Sequence, residues 1–157
     1  MKLSRQIKFL ASIAVCQLAG AVGSVFTTPS IATWYADLRK PWFSPPNWVF
    51  APVWITLFAM MGIALYLVWK KGYGKRTRHA IAAFGLQLAL NVLWSLLFFG
   101  LRLPAAAFVE IVVLWAAIAY TTLKFKETDN RAAYLMLPYL AWVSFAAVLN
   151  YHVWVLN

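Results

Sequence analysis

Acidic side chains are scarce in this chain. Four Asp and Glu stand among 157 residues, against fourteen Lys and Arg, for a formal net charge of +10. With so few acid–base groups, ordinary enzymology is not expected. Cysteine is scarcer still. Cys16 alone excludes an intrachain disulfide and a thiolate metal cluster, and its apolar surroundings favour packing over reactivity. The two histidines, His79 in a basic stretch and His152 near the C-terminus, have no acid and nucleophile beside them in sequence. HExxH, a Gly-rich phosphate loop and zinc-ligand spacing are all missing, so no metal site is expected. Charge of either sign makes up 11% of the chain, against about 25% in a soluble domain.

What is abundant is apolar. Hydrophobic residues make up 64% of the chain, where a soluble domain has about 45–50%. A fold of this size cannot hide that much apolar surface from water, so the chain must meet lipid. Nucleic acid is not expected as a partner. The basic residues are split among loops and form no single stripe, as suits cationic loops at a membrane surface.

Five charge-poor stretches of about 20 residues, the length that crosses a hydrocarbon core, predict an all-α integral membrane bundle of five transmembrane helices in one domain. The spans fall at about 5–26, 47–70, 79–101, 104–125 and 131–154. The basic N-terminal start has the look of a signal peptide. However, Ala19-Gly20-Ala21 runs on into further apolar sequence, so a retained first span is expected. The connection at 27–46 is long, with four prolines together with Trp34, Tyr35 and Trp42, and reads as an ordered lid. Eleven basic residues, from Lys2 to Arg131, fall on one side of the bundle. Arg39, Lys40 and Arg102 fall on the other. The positive-inside rule then places the N-terminus in the cytoplasm, with the C-terminus and loop one outside.

Within the spans, polar residues are costly unless they face the bundle. Gln87, Asn91, Trp94, Ser95 and Phe98 share one side of span three, either as interhelical glue or as a cavity wall. Trp142, Ala146 and Asn150 share a face of span five with Phe145 beside them, and Trp54, Phe58 and Met61 make a stripe on span two. Glu110 is the one acid inside a span. It reads either as functional or as a carboxylate that snorkels or pairs with Arg102. His152 reads either as an axial ligand for haem iron or as an interfacial polar residue. Small residues line one face of span one (Cys16, Gly20, Ser24) and one of span three (Gly85, Ala89). Such faces allow close helix approach, in a homodimer or within the monomer.

Several segments together resemble the TspO/MBR family. In the first loop and second span these are Trp34-Tyr35, Leu38, Lys40-Pro41-Trp42, Pro45-Pro46 and Val49-Phe50-Ala51-Pro52-Val53-Trp54. Asn91-Val92-Leu93-Trp94-Ser95 with Phe98-Phe99 resembles the family's third helix, and Pro138-Tyr139-Leu140-Ala141-Trp142 with Leu149-Asn150 its fifth. The resemblance covers nearly the whole chain and implies a five-helix bundle with a pocket toward loop one. It also implies tetrapyrrole ligands such as protoporphyrin IX or haem, alongside sterols and benzodiazepine-type ligands, and no required cofactor. Carried over by position, the pocket residues are Tyr35, Pro45, Trp54, Asn91, Trp94, Ser95, Trp142, Phe145 and Ala146. Trp54 and Trp142 are the positions that bacterial members link to light-dependent porphyrin breakdown. The family's sterol motif is incomplete here. After Leu149 and Tyr151 no Lys or Arg follows, and Leu114, Tyr120 and Lys124 fit only by spacing. A receptor or sensor is therefore expected, with a photochemical porphyrin-degrading enzyme and a transporter as alternatives. The absence of an inverted repeat and of a charged pathway counts against a secondary transporter.

Overall fold

The computed structural model describes residues 4–157. Of the cations counted above, Lys2 lies outside the described residues. The chain is 84% helical. Its elements are α1 (Arg5–Ile31), α2 (Trp34–Asp37), α3 (Asn47–Trp69), α4 (Lys75–Ser95, continued by a π-helical segment Leu96–Gly100), α5 (Pro104–Lys126) and α6 (Asn130–Leu156). Five of these helices are long and apolar enough to cross a membrane, and the protein is an integral membrane protein.

Local chemistry explains the helix ends. Ser4 caps α1 by accepting from the amide of Ile7 at 3.3 Å. Pro104 opens α5, where its missing N–H costs nothing. Asp129 caps α6 by accepting from the Arg131 amide at 3.0 Å. The Arg131 guanidinium bonds to the same carboxylate and Lys71 lies 3.4 Å from it, which holds its pKa down at about 2.

The helices form a closed ring. α1 packs against α3 and α4, α3 against α6, α6 against α5, and α5 against α4. Neighbours in the ring run antiparallel, except α1 and α4, the first and third spans, which run the same way. α1 buries the smallest share of its length and presents Leu10, Leu18, Val22 and Val25 outward, as a lipid-facing helix should.

Two features depart from the sequence reading. First, α1 continues through residues 27–31, which the sequence assigned to loop one, so the connection proper begins at Ala32. It is tied down by Lys40, whose Nζ donates to the carbonyls of Tyr35 (2.7 Å), Leu38 (3.1 Å) and Ala36 (3.3 Å). Arg39 and Asn157 exchange two further hydrogen bonds, at 3.0 and 2.9 Å, which fasten the loop to the end of α6. Second, α4 ends in a widened π-helical turn at Leu96–Gly100, within which both Phe98 and Phe99 are buried. It also leaves the Phe99 carbonyl to accept from Ser30 Oγ at 2.9 Å, which locks α4 to α1.

Candidate functional site

The half of the bundle next to loop one encloses a cavity of about 370 Å³. It lies between α1, α3, α4 and α6; α5 contributes nothing to its wall. Its size and mainly apolar lining suit a small-molecule site.

Indole and phenyl rings make the walls. Trp54 and Phe58 come from α3, Trp94 and Phe98 from α4 and its π segment, and Trp142 from α6. The rings hold one another in place. Trp94 stacks on Phe98 with centroids 5.2 Å apart, Trp54 lies 5.6 Å from Phe58, and Phe50 bridges Tyr35 (6.3 Å) to Trp142 (6.2 Å). Tyr35 closes the loop-one end. It is 3% exposed, and burial pushes its phenol above the usual range. Its hydroxyl sits beside that of Ser44 without closing a hydrogen bond of ordinary geometry.

The polar groups form a floor. Asn91 Nδ2 donates to the hydroxyl of fully buried Tyr139 at 2.8 Å, and that hydroxyl donates to Gln87 Oε1 at 2.9 Å. Trp94 Nε1 donates to Asn150 Oδ1 at 3.0 Å, while Asn150 Nδ2 donates to the Pro104 carbonyl at 2.8 Å. Gln87 and Asn91 thus act as interhelical glue, and Asn91 with Ser95 also lines the cavity; both readings of that face apply. Trp142 Nε1 is buried and makes no hydrogen bond within the protein. An apolar cavity with a few polar groups on its floor can take a flat, mostly hydrophobic ligand that carries a few acceptors.

Seven of the nine expected pocket residues meet on this wall: Tyr35, Trp54, Asn91, Trp94, Ser95, Trp142 and Ala146. Pro45 and Phe145 do not line it. Phe145 instead packs against Trp142 (5.5 Å) and the loop residue Phe43 (6.2 Å), behind the wall. His152 is outside as well. Its ring meets Phe43 edge-on at 5.2 Å and its Nδ1 is 2.8 Å from the Val148 carbonyl, away from the cavity lining. Glu110 is 8% exposed with both carboxyl oxygens lacking a partner, and no ion pair joins it to exposed Arg102. Of the two readings the sequence left open, snorkelling or pairing with Arg102 is not seen. Leu114 points into the core at 1% exposure while Tyr120 faces outward, so the spacing match to a sterol motif forms no common surface.

Sequence reasoning missed α1. Gly20, Gly23, Ser24 and Thr27 line the cavity, so the small-residue face of α1, read as allowing close approach in a homodimer or within the monomer, also makes room for a cavity. A Cβ on Gly20 would lie 2.7 Å from the Phe58 ring, and one on Gly23 3.1 Å from Ser95 Oγ. The repeat of small residues was the available signal; only packing tells a seam from a cavity wall.

Comparison with known proteins gives one answer. The model of the TspO/MBR family matches residues 12–155. The chain is similar to the tryptophan-rich protein TspO of Archaeoglobus fulgidus, 44% identical over 151 residues, which covers 96% of this chain and 97% of that one. It is 45% identical over 136 residues to the translocator protein of Homo sapiens, covering 85% and 80% of the two chains. Against the tryptophan-rich sensory protein of Cereibacter sphaeroides it is 35% identical over 150 residues, covering 95% and 90%.

Proposed function

Because the chain belongs to the TspO/MBR family of membrane sensor and translocator-type proteins, we propose that its cavity is a receptor site for tetrapyrroles, with protoporphyrin IX as the representative ligand. One observation carries the reading. Three tryptophans from three different helices, Trp54, Trp94 and Trp142, converge on one cavity with a polar floor. Flat aromatic walls suit a flat aromatic macrocycle. Asn91 and Ser95 on the cavity lining offer polar groups to it. The incomplete sterol motif favours tetrapyrroles over sterols, and benzodiazepine-type ligands would use the same apolar walls.

Titration of the purified protein with protoporphyrin IX in darkness, read by tryptophan fluorescence, tests the reading. Saturable quenching is expected, and it should weaken in Trp142→Ala and stay unchanged in Trp154→Ala, a residue outside the cavity wall. The reverse pattern would move the site elsewhere.

A second reading, light-driven degradation of the bound porphyrin, is favoured by Trp54 and Trp142 facing the same cavity. Indole is electron-rich and can quench an excited porphyrin or react with the oxygen species it generates.

For topology, the eleven-to-three split of basic residues supports cytoplasmic loops two and four. A reporter fused after Asn157 that works only in the cytoplasm should then be silent. For assembly, Gly85 and Ala89 are exposed on α4, and a Cβ at Gly85 would meet nothing within 4 Å. We read this face as a homodimer contact. Gly85→Leu fits the monomer, and so should lower the dimer fraction in detergent without unfolding it.

A further inference from the structure

We propose that the cleft between the first turn of α4 and the last turns of α5 binds the phosphate headgroup of an anionic phospholipid. The cleft lies at the opposite end of the bundle from the tetrapyrrole site and is independent of it. It has a volume of about 520 Å³ and is lined by Lys75, Arg76, His79, Tyr120, Lys124 and Glu127.

Its charge is one-sided. Lys75, Arg76 and Lys124 are cations, and Glu127 is the sole acid on its wall. That acid is engaged by Lys124 at 2.8 Å, and its backbone carbonyl accepts from Arg76 at 3.4 Å, so the cationic excess is left facing the cleft. The first turn of α4 adds to the field. It has no capping side chain and no acid, which leaves its backbone N–H groups directed toward the same end.

Position then selects a lipid over a free anion. The cleft sits at the ends of two membrane-spanning helices, the start of α4 and the end of α5, where lipid headgroups are expected. Tyr120 is 54% exposed there with Lys124 Nζ 5.5 Å above its ring, as expected of an interfacial aromatic. A second cleft of about 670 Å³ shares Lys75 and His79 and reaches Ala82, the first apolar residue on that face of α4. One turn further in, Leu86 is 60% exposed, and Leu123 on α5 is also 60% exposed. Phosphate would meet the cations while acyl chains continue down the apolar surface below them. Basic pockets between spans at a membrane face are a known way of holding acidic headgroups.

The test uses the full chain in neutral detergent, with its thermal unfolding midpoint read against added dihexanoyl phosphatidylglycerol, dihexanoyl phosphatidylcholine and inorganic phosphate. Phosphatidylglycerol should raise the midpoint saturably, and the other two should not at equal concentration. Lys75→Gln/Arg76→Gln/Lys124→Gln should weaken the apparent affinity roughly a hundredfold, from about 1 kcal/mol per basic residue at a lipid surface. Arg5→Gln/Lys70→Gln/Lys126→Gln removes the same charge from the same membrane face outside the cleft, and should bind like the parent. If the first triple variant does not fold, Lys75→Gln/Lys124→Gln should show a loss of roughly tenfold or more by the same arithmetic. Equal losses in the two triple variants would reduce the effect to diffuse surface attraction and overturn the proposal. A midpoint shift as large with phosphate, or with phosphatidylcholine, would overturn it too.

Discussion

The two ends of this bundle are built from the same five helices and packed in opposite ways. Toward loops two and four the interior is tightly packed. Phe84 stacks on Phe125 at 5.6 Å, Met61, Val68 and Met136 are wholly buried, and α1 approaches α3 so closely that a Cβ on Gly62 would lie 2.8 Å from the Ile13 backbone. Toward loop one the same pair of helices is lined with Gly20, Gly23, Ser24 and Ala51, and a cavity opens. The network from Asn91 through Tyr139 to Gln87, whose Nε2 lies 3.8 Å from Met61 Sδ, marks the boundary between the halves. The difference is one of side-chain size. Small residues where the partner face is also small bring helices together, and small residues opposite large, mutually braced rings leave a void.

That contrast is broken most severely at its closed end. Gly62→Val pushes two methyl groups into the Ile13 backbone, which cannot swing away as a side chain can. Overpacking of this kind costs about 1–3 kcal/mol, and the unfolding midpoint in detergent should fall clearly. Gly23→Ala makes the matching change at the open end. Its new methyl meets the Ser95 hydroxyl at 3.1 Å, a group free to rotate, so the midpoint should stay near the parent's while porphyrin affinity drops as the cavity narrows. A stability loss as large in Gly23→Ala as in Gly62→Val would mean that the two halves are equally packed.

Within the cavity, walls should matter more than floor. Trp142→Ala removes a large apolar face together with a buried indole N–H that has no partner. At about 25 cal/mol per Å² of apolar area, the loss should exceed about tenfold in affinity. Asn91→Ala removes one hydrogen-bonding group and leaves Tyr139 still donating to Gln87. A single hydrogen bond is typically worth about 0.5–1.5 kcal/mol, so protoporphyrin IX should bind roughly 2- to 13-fold more weakly. Equilibrium titration of both variants ranks the two contributions. A larger loss at Asn91 than at Trp142 would make the floor, not the walls, the main source of affinity.

Much of this plan was legible before any coordinates. Five helices follow from apolar length alone, and the polar stripe of α4 with the aromatic face of α6 already pointed at one interior. What could not be read depends on contacts between elements. The π segment that carries Phe98 and Phe99 is not something a period of 3.6 reveals. Phe145 shares the helical face of Trp142, yet Phe43 from loop one takes its side, and the loop's path is fixed by Lys40 and Asn157 rather than by its own prolines. Glu110 looked close enough to Arg102 to pair by sequence distance. The backbone at Arg102, with φ of 57°, turns it out of the short connection. The small-residue face of α1 was visible, but not that it borders a cavity, because a glycine's contribution to a cavity is the space it leaves.

The smallest effect on affinity is expected from the changes that bear most on chemistry. Trp54→Phe and Trp142→Phe keep a flat aromatic wall and remove the indole. Phe50 and Phe145 brace Trp142, and Phe58 and Tyr139 brace Trp54, at centroid distances of 6.2, 5.5, 5.6 and 6.3 Å. A phenyl ring would therefore be held in nearly the same place. Most of the buried area survives, so binding in darkness should weaken by less than about tenfold, the loss set by the smaller ring. Under light the two readings of the site diverge. If the indoles react with excited porphyrin or with the oxygen species it generates, absorbance of the bound ligand should bleach quickly in the parent and slowly in either variant. Both rings line the cavity, so neither substitution alone should leave the rate untouched. If parent and variants bleach the ligand at one rate, the indoles serve as walls only, and the protein is a receptor without porphyrin-degrading activity.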